Sequence, residues 1–405
     1  MTDIPSLPPE ARLSRPEFVG MIAMLFATVA FSIDSMLPAL PEIAAELSPD
    51  APNRAQLILS SFILGMGLGT FVAGPLSDRF GRKRVILGGA VLYCAAALAA
   101  WAAPTLGLML LARLAGGLGA AAPRVVSLAL VRDLYKGREM ARIMSFAMLI
   151  FTLVPAFAPL LGSVVIDGLG WRGIFLSFLG FSALSMLWLG LRQPETLPPA
   201  ARREVSAARL TGALREVLSH RVIVTAIGVQ TLVFGALFAT LSSTQQIFDV
   251  TWNRGDSFPM WFALIALMAG TASLVNAALV MRLGMRFLVT LALGAQVVVS
   301  LTMWAAAAQG LWSEALAFPA YVLWTTGVFF TAGLTLGNLN ALAMEPVGHI
   351  AGMAASVIGS VATVVSVGLA VPLGLAFDGT PQPLMLGVAC FTGAGFLLIR
   401  TLPRH

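Results

Sequence analysis

Long apolar runs separated by short polar stretches are the dominant pattern of this chain. The runs are about twenty residues long and show no strict alternation, so they predict helices rather than strands. At the rise of an α-helix, a run of this length crosses the hydrocarbon core of a bilayer. Twelve such spans are predicted, at 18–41, 55–76, 84–104, 106–131, 141–166, 172–191, 221–247, 258–281, 287–308, 314–341, 350–376 and 383–401.

The composition excludes a soluble globular domain. Of 405 residues, 58% are hydrophobic and only 11% are charged, with a mean hydropathy of +0.88. Soluble domains carry roughly 25% charged residues. In lipid the backbone must satisfy its own hydrogen bonds, and apolar runs of this kind do so as helices. The expected fold is therefore an all-α polytopic membrane protein with its first span retained.

The positions of the basic residues predict the orientation. With the N-terminus in the cytoplasm, twenty of the 25 Lys and Arg residues fall in cytoplasmic segments and three in outer loops. Cytoplasmic loops of membrane proteins carry such an excess of basic residues. We therefore expect a multi-pass membrane protein with both termini in the cytoplasm. The basic residues behind the net charge of +6 therefore orient the protein in the membrane, and no nucleic-acid partner is expected.

A polar, proline-containing segment divides the chain into halves. The expected organisation is a cytoplasmic tail at 1–17, a six-helix bundle at 18–191, a linker with an amphipathic helix at 192–220, and a second bundle at 221–402. The tripeptide Arg79-Phe80-Gly81 after the second span is echoed by Arg282-Leu283-Gly284 after the eighth. Two halves of repeated design are typical of alternating-access transporters.

A short segment rich in charged residues, 74–84, joins the second and third spans and is called the charged turn below. Its Gly74, Leu76, Asp78, Gly81, Arg82 and Lys83 match the typed positions of the loop that marks the major facilitator superfamily, which the chain therefore resembles. The resemblance implies two pseudo-symmetric six-helix bundles and a conformational latch that holds the outward-open state. The expected latch residues are Gly74, Asp78, Arg79, Gly81, Arg82, Lys83, Arg132 and Asp133. The alternative is a topology anchor that never rearranges.

Three charged side chains fall well inside predicted spans, where charges are costly and usually functional. They are Asp34, Arg113 and Arg124. Asp34 lies eight residues before Glu42, roughly 12 Å from the outer end of its span, and Arg113 lies at a comparable depth in the fourth span. The two are predicted to communicate and to couple transport to protons, with Asp34 taking up and releasing the proton. The alternative is a static ion pair that only fixes helix packing.

Further motifs extend the resemblance. The run from Arg113 to Gly119 is similar to the R-x-x-Q-G-x-G motif of proton-coupled members, with Gly116 in place of Gln. Pro159 and Gly162 match the end of the antiporter motif of the fifth helix. Together with the residues around Asp34, they resemble the Bcr/CflA (bicyclomycin-resistance) branch of the drug/proton antiporters (DHA1). This implies a proton-coupled exporter of small amphiphilic compounds in a bacterial inner membrane.

The candidate substrate-binding residues are those with polar, charged or aromatic side chains inside the spans. They are Asp34, Arg124, Gln230, Phe234, Phe238, Gln245, Trp324 and Asn338. Outside Asp34, each has a simpler interpretation as a packing residue, and Arg124 could instead extend its guanidinium toward the cytoplasm. If Arg124 faces the cavity, it favours an alternative function, the transport of one small anionic metabolite. A membrane sensor without transport is a third hypothesis.

Other chemistry lacks its motifs. No G-x-x-x-x-G-K phosphate loop occurs, and His and Cys show no metal-ligand spacing. We therefore expect no enzyme activity, no metal and no cofactor, with the proton gradient as the energy source. The expected partners are the lipid bilayer, a small-molecule substrate and protons, and the chain is expected to work as a monomer.

Overall fold

The computed structural model describes residues 13–202 and 207–402, and thirteen α-helices lie within them. Their bounds are α1 Arg15–Asp34, α2 Leu40–Leu47, α3 Leu57–Phe80, α4 Arg82–Trp101, α5 Leu106–Leu134, α6 Gly137–Arg192, α7 Ala207–Ser219, α8 Arg221–Gln246, α9 Phe258–Leu283, α10 Met285–Ala308, α11 Glu314–Met344, α12 Ala351–Leu375 and α13 Gln382–Arg400. Short 3₁₀ segments at Leu37–Ala39 and Pro52–Gln56 and a π-turn at Ile247–Thr251 join some of them. No strand occurs in this part of the chain.

Eleven of the described helical stretches are long and apolar enough to cross a membrane. One of them, α6, has 56 residues and a backbone break at Gly170, where φ is 68°. Because 56 residues would extend about 84 Å, α6 is two spans that meet at this glycine. The prediction of an all-α protein with twelve crossings is confirmed.

The end of the fifth span differs from its prediction. The sequence places this end at residue 166, before Gly168, whereas the helix continues to Gly170. A positive φ is accessible to glycine without steric cost, and Gly170 rather than Gly168 adopts it. Two glycines in a short stretch made the choice ambiguous from sequence.

The first span is interrupted close to its acidic residue. α1 ends at Asp34, a 3₁₀ turn follows at Leu37–Ala39, and α2 then begins. Proline has no N–H, so Pro38 cannot donate the helical hydrogen bond that the Asp34 carbonyl would accept. The break thus follows from Pro38, and it places Asp34 at the end of α1.

The chain divides into two compact units. The first contains the described residues of Met1–Met36 and Ser61–Gly212, and the second those of Leu37–Ser60 and Ala213–His405. In the first, α1 packs on α6, and α4 packs on α5 and α6. In the second, α8 packs on α11, α12 and α13. The predicted bundle boundaries remain a prediction, and by its contacts the segment Leu37–Ser60 groups with the second unit.

The repeated turn seen in the sequence recurs in the backbone. Gly81 joins α3 to α4 with φ 100° and ψ 154°, and Gly284 joins α9 to α10 with φ 81° and ψ 152°. Both conformations are essentially restricted to glycine. The two similar tripeptides therefore share one turn geometry. Gly81 lies in the first unit and Gly284 in the second.

Candidate functional site

Asp34 lies in an enclosed, largely apolar part of the first unit. It is 5% exposed, at the end of α1. Three residues earlier on the helix, the Phe31 ring contacts Phe178 and Phe181, with centroid distances of 5.7 and 5.1 Å. Among the residues that the structure describes, none forms a hydrogen bond or an ion pair with the Asp34 carboxylate. An acidic group in such a place is stabilised either by holding a proton or by a cationic partner.

Arg113 contacts the first span but does not pair with Asp34. Its guanidinium donates to the Ser32 hydroxyl at 3.0 Å and to the Ser32 carbonyl at 2.9 Å. It also stacks over the Phe62 ring at 4.3 Å. The static ion pair considered from the sequence is thus not formed. Arg113 instead holds the last turn of α1, two residues before the acid, and its coupling role stays a prediction.

Arg124 lies on nearly the same face of α5 as Arg113, because eleven residues correspond to about three helical turns. Its guanidinium contacts the Met66 sulfur at 3.7 Å. Within the described ranges no carboxylate pairs with it. The side chain is partly buried, so its positive charge is not neutralised by a neighbouring side chain.

Gly162 brings the fifth span into close contact with the break in the first. A Cβ atom at this position would overlap the carbonyl oxygen of Ser35, the residue after Asp34. The part of the antiporter motif that the sequence retains therefore has a physical role. It allows backbone-to-backbone packing beside the acidic residue.

The charged turn forms a compact polar cluster inside the first unit. The Arg82 guanidinium pairs with Asp78, donates to the Ser77 hydroxyl at 2.7 Å, and pairs with Asp133 at 3.1 Å. Lys83 donates to the Gly190 carbonyl at 2.7 Å. The predicted partnership between the turn and the end of α5 thus exists through Asp133.

The remaining latch candidates take other positions. Arg79 is exposed, with its guanidinium 5.1 Å from the centroid of the Phe80 ring. Arg132 is exposed and forms no ion pair with a described residue. Gly74 lies partly buried in α3, one residue before Pro75. The rearrangement of the cluster during transport remains a prediction.

Glu195 completes this cluster, and the sequence analysis missed it. Its carboxylate accepts hydrogen bonds from the backbone N–H groups of Arg82 at 2.9 Å and Lys83 at 3.2 Å, the first two residues of α4. A carboxylate at a helix N-terminus satisfies unpaired donors and complements the helix dipole. More than a hundred residues separate the partners, so no local spacing could have indicated the contact.

Several candidates in the second unit have satisfied side chains. The Trp324 ring is 1% exposed and donates to the Ser300 hydroxyl at 2.9 Å. Asn338 donates to the Asn276 side chain at 2.7 Å. Both geometries are typical of packing residues that tie helices together. A substrate role for either residue stays a prediction.

Other candidates in the second unit have polar atoms without a hydrogen bond or rings that are only partly buried. The Gln230 amide donates to Asn340 at 3.2 Å, while its oxygen is buried without a hydrogen-bond partner in the described residues. Phe234 and Phe238 stack in parallel at 5.2 Å and are partly buried. Gln245 is 3% exposed, and its oxygen likewise lacks a partner there.

Comparison with known proteins identifies the class. Residues 21–372 match the model of the Major Facilitator Superfamily, and the chain belongs to this family. It is therefore a multi-pass membrane transporter and not an enzyme. The family recognised from the charged turn is thereby confirmed.

Curated relatives refine this assignment. A bicyclomycin resistance protein homolog of Haemophilus influenzae is 28% identical over 352 residues, 85% of both chains. A chloramphenicol resistance protein of Pseudomonas aeruginosa is 35% identical over 176 residues, 43% of this chain and 41% of that one. A multidrug resistance protein MdtL of Shigella dysenteriae is 28% identical over 246 residues, 60% of this chain and 61% of that one. These similarities agree with the predicted drug/proton antiporter branch.

Solved structures show the same fold. A D-xylose-proton symporter superimposes with a TM-score of 0.74 at 15% identity, covering 95% of this chain and 98% of that one. The human organic anion transporter MFSD10 gives a TM-score of 0.66 at 19% identity, covering 97% of this chain and all of that one. At these identities the comparison establishes the fold alone.

Proposed function

We propose that this protein is a proton-coupled exporter of small amphiphilic compounds that works by alternating access. Relatives named for resistance to bicyclomycin, chloramphenicol and multiple drugs support the substrate class. We place it in a bacterial inner membrane, since the named relatives are bacterial. Both termini are placed in the cytoplasm, as the distribution of basic residues predicts. We further propose that it works as a monomer, without a cofactor, and uses the proton gradient.

The observation that carries the proposal is the unpaired, enclosed carboxyl group of Asp34. Removing a carboxylate from water without a partner is costly, so a proton or a positively charged group of the substrate stabilises it. One carboxyl group cannot serve both at once. Competition between proton and cargo at Asp34 then links proton entry to drug exit.

The surroundings of Asp34 support such an exchange. Arg113 holds the last turn of α1 through Ser32, which keeps the acid in place without neutralising it. The helix is interrupted at Pro38, just after Asp34, and the close contact at Gly162 packs the fifth span against this interruption. Local backbone irregularity at membrane depth is typical of transporter binding sites.

The charged turn supplies a candidate two-state element. Arg82 pairs with both Asp78 and Asp133, and charged clusters of this kind can exchange partners at modest cost. We propose that these pairs break and re-form during each transport cycle. Glu195 keeps the start of α4 fixed while they do so.

Transport in proteoliposomes tests the function. Purified protein would be reconstituted, and uptake of ethidium, chloramphenicol and bicyclomycin would be followed with and without a pH gradient. We expect gradient-driven accumulation of at least one compound by the unmodified protein, and none by Asp34→Asn. Asp167→Asn, which changes an exposed acid, is the matched control and should transport normally.

The possible results separate the hypotheses. Accumulation by Asp34→Asn that still depends on the gradient would exclude Asp34 as the coupling site. Transport of a small anion with none of the three compounds would instead favour the alternative suggested by Arg124. In that case, Arg124→Gln should abolish the anion transport.

A further inference from the structure

A buried tyrosine on α4 lies beside the residues that hold the end of α1. Tyr93 is 2% exposed, and its hydroxyl lies next to the Ser32 side chain and the Arg113 guanidinium. Ser32 is fully buried, Arg113 is 3% exposed, and all three residues belong to the first unit. They form one buried polar cluster, two residues before Asp34 on α1.

The ring of Phe62 on α3 contacts both Tyr93 and Arg113. The centroids of the Phe62 and Tyr93 rings are 6.4 Å apart, and the two rings meet edge to face. The central carbon of the Arg113 guanidinium lies 4.3 Å from the same Phe62 centroid. Tyr93 and Arg113 are therefore neighbours, and the cluster joins one side chain from each of α1, α3, α4 and α5.

The Tyr93 hydroxyl lacks a hydrogen bond. It has almost no accessible surface, and none of the described residues donates to it or accepts from it. Ser32 receives two hydrogen bonds from Arg113, one at its hydroxyl and one at its carbonyl. A serine hydroxyl has two lone pairs, so that of Ser32 can accept one more hydrogen bond. Tyr93 thus lies beside a suitable acceptor to which it is not bonded.

The backbone of α4 packs tightly on α5 at the level of Tyr93. A Cβ atom at Gly119 would overlap the Tyr93 backbone nitrogen and the Gly89 carbonyl oxygen, and one at Gly89 would overlap the Gly119 carbonyl oxygen. Small residues in such places let two helix backbones come close together. Because α4 is held on α5 here, a shift of Ser32 is the simpler way to bring the two hydroxyl groups together.

We propose that Tyr93 is a positioning residue for Asp34, a role that rests on the proposed function. In the present structure Arg113 holds Ser32, and the Tyr93 hydroxyl is unpaired. In a second state of the transport cycle, the last turn of α1 shifts and Tyr93 donates a hydrogen bond to the Ser32 hydroxyl. Asp34, two residues further along the chain, thereby has two defined positions. Tyr93 itself touches neither the proton nor the cargo.

The proposal predicts an unusual pair of effects for Tyr93→Phe, which removes only the hydroxyl group. The present state loses an unpaired polar group, so its stability should not fall. The second state loses a hydrogen bond, so its formation should become less favourable. A tyrosine that only stabilises the fold would lose stability and transport together.

Transport in proteoliposomes and thermal unfolding in detergent measure these two effects. Tyr93→Phe should transport about fivefold more slowly than the unmodified protein, the loss that one hydrogen bond implies. Its Tm should be equal to that of the unmodified protein or higher by up to roughly 4 °C.

Tyr321→Phe is the matched control. Tyr321 is fully buried in the second unit, and its hydroxyl lies beside Thr325 but also lacks a hydrogen bond among the described residues. The same chemical change is thus made away from Ser32 and Asp34. Tyr321→Phe should leave the transport rate unchanged, with a Tm equal to or above that of the unmodified protein.

A second variant tests whether Ser32 is the acceptor. Ser32→Ala removes the hydroxyl that Tyr93 would reach and leaves the Ser32 carbonyl for Arg113. Two changes that remove the same interaction do not add. In the Ser32→Ala background, Tyr93→Phe should therefore cause no further loss of transport.

Any of three results would overturn this role of Tyr93. They are equal transport rates for Tyr93→Phe and the unmodified protein, a Tm of Tyr93→Phe below that of the unmodified protein, and a further loss of transport when Tyr93→Phe is added to Ser32→Ala. In each case the unmodified protein still transports, so the proposed function stands. An unmodified protein that transports none of the compounds would overturn the proposed function, and this role of Tyr93 with it.

Discussion

Gly81 connects the charged turn to the cap on α4, and replacing it by alanine tests how that cap works. The residue adopts φ 100° and ψ 154°, a region open essentially to glycine. A Cβ atom here would also overlap the Glu195 carboxylate. Gly81→Ala should therefore have two separable effects, strain in the turn and displacement of the cap.

The structure gives the size of each effect. Strain in this backbone region costs about 1–3 kcal/mol. Loss of a helix cap costs a further 0.5–2 kcal/mol, roughly. Gly284→Ala is the matched control, because Gly284 has nearly the same φ and ψ but no atom within 4 Å of the added Cβ. Gly81→Ala should thus destabilise its unit by about 1 kcal/mol more than Gly284→Ala destabilises the other.

A double-mutant cycle with Glu195→Ala isolates the cap. Thermal unfolding in detergent, followed by tryptophan fluorescence, would be measured for the two single variants and the double variant. A change of 1 kcal/mol corresponds to roughly 2–4 °C for a unit of this size. Once Glu195 is gone, Gly81→Ala should cost only the strain, so the two losses should not add.

Two results would show that Glu195 does not cap α4 in this way. Strictly additive losses from Gly81→Ala and Glu195→Ala would mean that the two residues act independently. A Glu195→Ala variant as stable as the unmodified protein would mean that the carboxylate does not cap α4 in solution. The stability of Glu195→Gln, which keeps a hydrogen-bond acceptor but loses the charge, should fall between that of the unmodified protein and that of Glu195→Ala.

Two further predictions concern the surroundings of Asp34. Arg113→Lys removes the planar two-point contact with Ser32 and should lower the transport rate at least about tenfold. Arg84→Lys, at an exposed position, is the control and should not change the rate. Equal transport rates for Arg113→Lys and the unmodified protein would show that Arg113 is not part of the site. Gly162→Val should destabilise the first unit by about 1–3 kcal/mol or more, because the added side chain overpacks the backbone contact with Ser35. Gly168→Val is the control and should cost less, since no atom lies within 4 Å of a Cβ added there. Coinciding thermal unfolding curves for the two variants would contradict the close contact between Gly162 and Ser35.

The charged turn shows how much of the site could be predicted. Its motif identified the family and named Asp78, Arg82 and Asp133 as one cluster, and the structure brings these three together. It gave no indication of Glu195, which lies in the segment just after the sixth span, more than a hundred residues along the chain. A local pattern specifies a turn and its glycine, whereas a capping partner depends on which segment packs beside it.

Asp34 and Arg113 show the same limit. Their residue types and depths made both functional candidates, and both are indeed enclosed in the first unit. Equal depth did not mean that they pair, since Arg113 binds Ser32 instead. The depth of a residue follows from its position along a helix, but its partner depends on the rotation of that helix and on its neighbours.

The sequence by itself determined the helical class and the number of crossings. Lipid forces each span to satisfy its own backbone, so length and apolar composition suffice to define these features. Only the tertiary structure decided that Asp34 has no partner in the described chain, that Glu195 caps α4, and that residues 37–60 group with the second unit. Those properties are distances between segments far apart in the chain, and packing alone sets them.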